Sequence, residues 1–250
     1  MLVEWEITLK CNYKCNYCTN LNKSLHPVLD KPTIRTFIQN LGINYPGVEI
    51  FVFGGEPFVH PYIGYIIECF NEFSIPFVIQ TNFSKYSVNV MKDITSPFTI
   101  NISIHPTEVS FDLLKELFST PVKINTIDVM YTGKEAIKYY LEVKKQLPDH
   151  DHTFLTPVTD FGDGVSDKLL AEYNQLRDHP TYTKLIKFEQ VKRFGKHRSE
   201  LWLDPEFTTK GKPCLYTDKY FLYGPTLELY NCCYRVKTDG ICKQDKCFLM

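Results

Sequence analysis

The chain has 250 residues with 28 basic and 29 acidic side chains, a formal net charge of -1. Apolar residues make up 44% and charged residues 23%, an ordinary globular composition that excludes a disordered or fibrous chain and a chain-wide polyelectrolyte. At about 100–200 residues per domain, one large domain or one domain with a small appendage is expected. No apolar run approaches the ~20 residues needed to span a bilayer. The acidic start, Met-Leu-Val-Glu-Trp-Glu, runs straight into a strand pattern. It does not read as a secretory signal, so a cytoplasmic location with no membrane partner is expected.

Hydrophobic alternation marks strands at 2–9 (LVEWEITL), 48–53, 76–81, 97–104, 121–130 and, more weakly, 153–158. Helical spacing marks 30–42, 61–73, 84–93, 110–118, 133–146 and 166–178. Asp30 is expected to cap the first helix, with Pro32 in its first turn and Gly42 near its end, and Ser110 and Ser166 are expected caps further on. Strand and helix thus alternate, which implies parallel strands joined by right-handed crossovers. The expected fold is α/β, a partial (β/α)6 barrel over residues 1–180. Residues 181–213 break the pattern and read as a connector. Residues 214–250 read as a small Cys-rich unit around a hairpin, YFLY, Gly-Pro at 224–225, then TLELY.

The nine cysteines are clustered: three within residues 11–18, five within 214–247, and Cys69 alone. Without a signal segment, an odd count argues against a disulfide framework and clustered thiols point to metal. Cys11-Asn-Tyr-Lys-Cys15-Asn-Tyr-Cys18 is a C-x3-C-x2-C just after the first strand. Three thiolates on one loop can hold three corners of an iron–sulfur cluster and leave one iron open to an outside ligand. Cys69, on an expected helix in IIECF, reads as a small core residue.

The C-x3-C-x2-C with Tyr17 just before the third Cys resembles the signature of the radical S-adenosylmethionine (SAM) enzymes. The resemblance implies a [4Fe-4S] cluster on Cys11, Cys15 and Cys18, whose open iron binds SAM. It implies reductive cleavage of SAM to a 5'-deoxyadenosyl radical that abstracts hydrogen from a substrate C–H bond. It also implies a reductant such as flavodoxin or ferredoxin. Gly54-Gly55-Glu56-Pro57 closes the second strand, where the family has a GGEP segment that meets the SAM amino group; the plainer reading is a turn needing positive φ. Ser103 matches a fourth-strand serine of the family that contacts the SAM carboxylate.

Further polar residues are expected at the carboxyl strand ends, where parallel α/β folds carry their sites: Thr81, Asn82, Asn125 and Thr156. Thr81, Asn82 and Asn125 are candidates for ribose or substrate contacts. His105 either faces the substrate or is hydrogen-bonded at the barrel rim. No GxIxGxxE segment stands at the fifth strand, so adenine contacts there stay unassigned. The later cysteines resemble a twitch or SPASM extension, which implies a second Fe–S cluster on four of Cys214, Cys232, Cys233, Cys242 and Cys247. Zinc is the rival occupant there. The substrate classes this leaves open are a peptide, a nucleotide or a phosphorylated metabolite. Residues 184–198 hold six Lys or Arg against one Glu, read as a solvated face or as a patch for an anionic substrate or nucleic acid. The alternative function is a zinc-bearing nucleic-acid-binding module, its ion held by Cys11, Cys15, Cys18 and His26.

Overall fold

A computed structural model describes residues 1–18, 27–118, 122–158, 165–188 and 220–230. Between 188 and 220 it describes residues 192–193, 196–197, 200, 203–206, 208 and 210–211. The chain alternates strand and helix from its start. The order is β1 (Leu2–Thr8), α1 (Lys31–Asn44), β2 (Glu49–Gly54), a 3-10 turn (Pro57–Val59), α2 (Ile63–Glu72), β3 (Phe77–Thr81), α3 (Lys85–Lys92) and β4 (Thr99–Ile104). It continues through α4 (Phe111–Leu117), β5 (Lys123–Tyr131), α5 (Glu135–Gln146), β6 (Thr153–Pro157), α6 (Val165–Asp178) and α7 (Pro180–Thr183). The short strands β7 (Lys192–Arg193), β8 (Lys196–His197), β9 (Tyr220–Tyr223) and β10 (Leu229–Tyr230) complete it.

Strands β1 to β6 are parallel and lie in chain order, the expected βα arrangement. The sheet extends past both ends of that run. Phe188 bridges Leu155 in parallel beyond β6. On the other side β9 pairs with β1 in parallel, Leu2 opposite Tyr220 and Trp5 opposite Tyr223, and β10 folds back antiparallel on β9. The 220–230 segment, read as part of a separate unit, is therefore hydrogen-bonded into the main sheet. β7 and β8 form their own antiparallel pair.

Strand side chains alternate between two faces. One face, with Val3, Trp5, Ile7, Ile50, Val52, Ile79, Ile100, Ile102, Ile127 and Val129, is buried under the helices. Trp5 packs edge-on against Phe37 of α1 at 5.0 Å and Phe70 of α2 at 6.4 Å. Cys69 is 1% exposed within this core, as expected. The opposite face carries Glu4, Glu6, Gln80, Ser103 and Asp128, so the polar residues of the strands line the side away from the helices. Asp30 caps α1 by accepting from the Thr33 N–H at 2.8 Å, and Ser110 accepts from the Leu113 N–H at 3.3 Å. Ser84, not foreseen as a cap, opens α3 by accepting from Ser87 N. Ser166 lies inside α6, which begins at Val165.

Candidate functional site

The cysteine loop leaves β1 and is pressed against the end of β2. Gly55 N–H donates to Thr8 O at 2.7 Å and Glu56 N–H to Lys10 O at 2.8 Å. The approach is so close that both glycines are compulsory. A Cβ on Gly54 would stand 2.2 Å from Thr8 O, and one on Gly55 would stand 2.1 Å from Lys10 O. Gly54 also has φ +145°, which side-chain-bearing residues rarely adopt. The plainer reading of the glycine pair, a turn needing positive φ, is thus true of Gly54. Both glycines serve the contact between the two loops.

Glu56 is fully buried. Its Oε1 accepts from the Thr81 hydroxyl at 2.8 Å and the Phe58 N–H at 3.2 Å, and its Oε2 accepts from the Asn82 N–H at 2.7 Å. Burial raises its pKa to about 7 against the pull of these donors. Pro57 is also buried and starts the 3-10 turn that Glu56 caps. The Thr81 hydroxyl accepts in turn from Phe83 N–H at 3.0 Å. The surface that this corner presents to a ligand is therefore the half-buried backbone of Gly54 and Gly55. The Glu56 carboxylate and the Thr81 hydroxyl are turned to each other.

Asn82 ties this corner to the cysteines. Its Nδ2 donates to Asn12 Oδ1 at 2.8 Å and to Cys11 Sγ at 3.7 Å, and its Oδ1 accepts from Ser84 N–H at 3.1 Å. Asn12 Nδ2 donates to Ser84 Oγ at 2.7 Å, which closes a ring of hydrogen bonds. The next residue, Phe83, is buried with φ 51°, a left-handed conformation that is strained for a bulky side chain. That turn separates β3 from the cap of α3 and sets Asn82 against the cysteine loop. Asn12, Ser84 and Ser87 were not singled out in the sequence. Only the N-cap pattern at Ser84 could have pointed to this corner.

His105, just past β4, meets the other half of the loop. Its Nδ1 shares a hydrogen bond of 2.8 Å with the Tyr17 hydroxyl and lies 3.7 Å from Cys15 Sγ. The Tyr17 and His105 rings stack with centroids 5.8 Å apart, and Tyr13 packs edge-on at 6.0 Å. Desolvation lowers the His105 pKa to about 4, so its imidazole is neutral near pH 7. Desolvation likewise pushes the Cys15 thiol up to about 11 and the Tyr13 and Tyr17 phenols well above their ordinary range. Cys11, Cys15 and Cys18 are all half-buried thiols outside any disulfide.

Among the described residues no three His, Cys, Asp or Glu side chains converge closely enough to hold one metal ion. His26, the fourth ligand of the alternative zinc site, lies outside the described residues. A four-iron cluster spreads its thiolates over separate irons. Two of the three sulfurs already face a nitrogen, Asn82 Nδ2 for Cys11 and His105 Nδ1 for Cys15. Sulfur accepts hydrogen bonds best as thiolate, so the donor set fits a cluster.

Of the other expected site residues, Ser103 lies on the open face of the sheet and accepts from Gln80 Nε2 at 2.6 Å. It stands opposite Asp128, which accepts from the Thr156 hydroxyl at 2.7 Å. Asn125 is not at a carboxyl strand end. It is the third residue of the nine-residue β5, beside a register shift, and donates to Asn101 Oδ1 at 2.9 Å. Cys214, Cys232, Cys233, Cys242 and Cys247 lie outside the described residues. No helix of the described residues is long and apolar enough to cross a membrane.

Residues 5–117 match the family model described as the radical SAM superfamily, a span that holds both the cysteine motif and the GGEP turn. The matched span is a little under half of the chain and resembles the radical SAM superfamily. Members of this superfamily are enzymes. Among solved structures, Streptococcus suis SuiB bound to S-adenosylmethionine matches with a TM-score of 0.65 at 15% identity, over 98% of this chain and 62% of that one. SuiB bound to the precursor peptide SuiA matches with a TM-score of 0.61 at 16% identity, over the same shares of 98% and 62%. Native anSMEcpe with bound AdoMet matches with a TM-score of 0.55 at 14% identity, over 100% of this chain and 79% of that one. At these identities the likeness is one of fold, and the chain spans less than two thirds of the SuiB chains. No curated protein matches.

Proposed function

We propose that Cys11, Cys15 and Cys18 hold a [4Fe-4S] cluster and that the chain uses SAM for hydrogen abstraction from a C–H bond. When bound, the cluster supplies one electron to SAM and so generates a carbon-centred radical. The observation that carries this reading is the clamp on the cysteine loop, two backbone hydrogen bonds from the Gly-Gly-Glu turn onto Thr8 and Lys10. The clamp sets three half-buried thiols beside half-buried glycine backbone at the carboxyl end of a parallel sheet, where such folds carry ligands. Gly54 and Gly55 present that backbone to the amino end of SAM. Glu56 and Thr81 hold the turn in place, and Asn82 holds the loop. Ser103 offers its hydroxyl on the same open face, and Tyr17 is held against His105.

The substrate we infer is a peptide. SuiB has been seen with the precursor peptide SuiA, and anSMEcpe with a Cp18Cys peptide; a shared fold supports that class over a nucleotide or phosphorylated metabolite. Four of Cys214, Cys232, Cys233, Cys242 and Cys247 hold a second Fe–S cluster in this reading. A flavodoxin- or ferredoxin-type reductant delivers the electron. The test is SAM cleavage by the reduced, anaerobically reconstituted chain. Formation of 5'-deoxyadenosine that is abolished by Cys15→Ala is expected. A reconstituted chain that neither binds nor cleaves SAM contradicts the reading.

A further inference from the structure

We propose that Asn82 is a positioning residue for the Cys11 sulfur, donating a hydrogen bond that raises the reduction potential of the cluster. The inference rests on the cluster reading above and goes beyond it by naming a residue outside the cysteine motif that adjusts the metal. The contact is Asn82 Nδ2 to Cys11 Sγ at 3.7 Å, between residues 71 positions apart in the chain.

The direction of the amide is determined by its surroundings. A backbone N–H can only donate, so the Ser84 N–H at 3.1 Å requires oxygen at the Asn82 Oδ1 position. Nδ2 must then face Cys11 and Asn12 Oδ1. The amide is also held from its own backbone, since Asn82 N–H donates to the buried Glu56 Oε2 at 2.7 Å. Asn82 is 6% exposed, so water is largely kept from competing for the donor, and a hydrogen bond in such surroundings is electrostatically stronger than in solvent. Reduction adds negative charge to a cluster and its thiolates. A fixed N–H dipole aimed at one thiolate favours the reduced form, and hydrogen bonds to the sulfurs are among the factors that set cluster potentials.

Ser84 supplies the control. Its buried hydroxyl accepts from Asn12 Nδ2 and shares a hydrogen bond with Ser87, so Ser84→Ala damages the same corner. Its backbone N–H, which orients Asn82, survives the change.

The test is a redox titration of the full, reconstituted chain followed by electron paramagnetic resonance. Asn82→Ala is expected to shift the reduction equilibrium at least tenfold toward the oxidised form, which is 59 mV to more negative potential for a one-electron couple. Asn82→Asp, which keeps the acceptor and replaces the donor with a charged oxygen, is expected to shift it further. Ser84→Ala is expected to leave the potential where it is. A cluster in the wild type with the same potential in Asn82→Ala overturns this inference and leaves the cluster reading intact. Equal shifts in Asn82→Ala and Ser84→Ala overturn it too, because the corner then acts through packing. Loss of the cluster from both Asn82 variants but not from Ser84→Ala assigns Asn82 a structural role only. No iron in the wild type overturns the cluster reading and the inference together.

Discussion

The Cα of Gly55 sits so close to Lys10 that a single added carbon would stand 2.1 Å from the Lys10 carbonyl oxygen. One glycine of the GGEP turn thereby fixes where the cysteine loop runs. Gly55→Ala is expected to push the loop away and break the hydrogen bonds onto Thr8 and Lys10. Two lost backbone bonds at about 1 kcal/mol each, plus strain, predict a loss of about 2–4 kcal/mol. Iron retention should fall with it. Gly64 in α2 is the contrast, because its Cβ would find only Ile94 at 3.9 Å. Gly64→Ala should fold normally with up to about 1 kcal/mol gained. Chemical denaturation and iron content of the two variants check this, and equal behaviour would contradict it.

Glu56 predicts a pH dependence of stability. Its pKa in the folded chain is raised to about 7 by burial, above the unfolded value near ~4.3. The folded state therefore holds the proton more tightly. The stability linked to Glu56 is fully present below the unfolded value and is lost as pH rises toward about 7. Glu56→Gln has no such titration, and it sets an NH2 group against one of the donors that meet Glu56, at a cost of about 1–3 kcal/mol. The wild type's advantage in melting temperature over Glu56→Gln should thus shrink between about pH 4 and about pH 7. An advantage that stays constant would contradict the buried, proton-binding carboxylate.

Tyr17 and His105 share a hydrogen bond of 2.8 Å and stacked rings. Tyr17→Phe keeps the stack and loses the hydroxyl, so a destabilisation of about 0.5–1.5 kcal/mol is expected with iron content unchanged. Tyr17→Ala also loses the half-buried ring and its stack on His105 and should cost more than Tyr17→Phe. Similar losses in the two variants would show that the ring contact contributes little.

The strands of the sheet were legible because apolar residues alternate in β1, β4 and β5, and the helices because Ile63, Ile66, Ile67 and Phe70 repeat at helical spacing. The cysteine motif and GGEP turn were legible as contiguous residue patterns. The Asn82 corner was not, since Asn82 meets Asn12 across 70 positions and nothing local encodes that pairing. The pairing of β9 with β1 was hidden for the same reason. Asn125 falls inside the strand read at 121–130, as it does inside β5, so it is no strand-end residue on either reading; only its register shift against β4 leaves no mark on the sequence. Glu56 reads as a ligand contact on the GGEP resemblance and Thr81 on its strand-end position, and only the structure shows each turned toward the other.

The measurement that tests the central claim most directly is iron and acid-labile sulfide per chain after anaerobic reconstitution, for the wild type and Cys15→Ala. The account predicts about eight irons in the wild type, in two clusters, and about four fewer in Cys15→Ala. About four irons in the wild type, lost in Cys15→Ala, would keep the SAM cluster and remove the second one. Stoichiometric zinc with no iron would contradict the account outright.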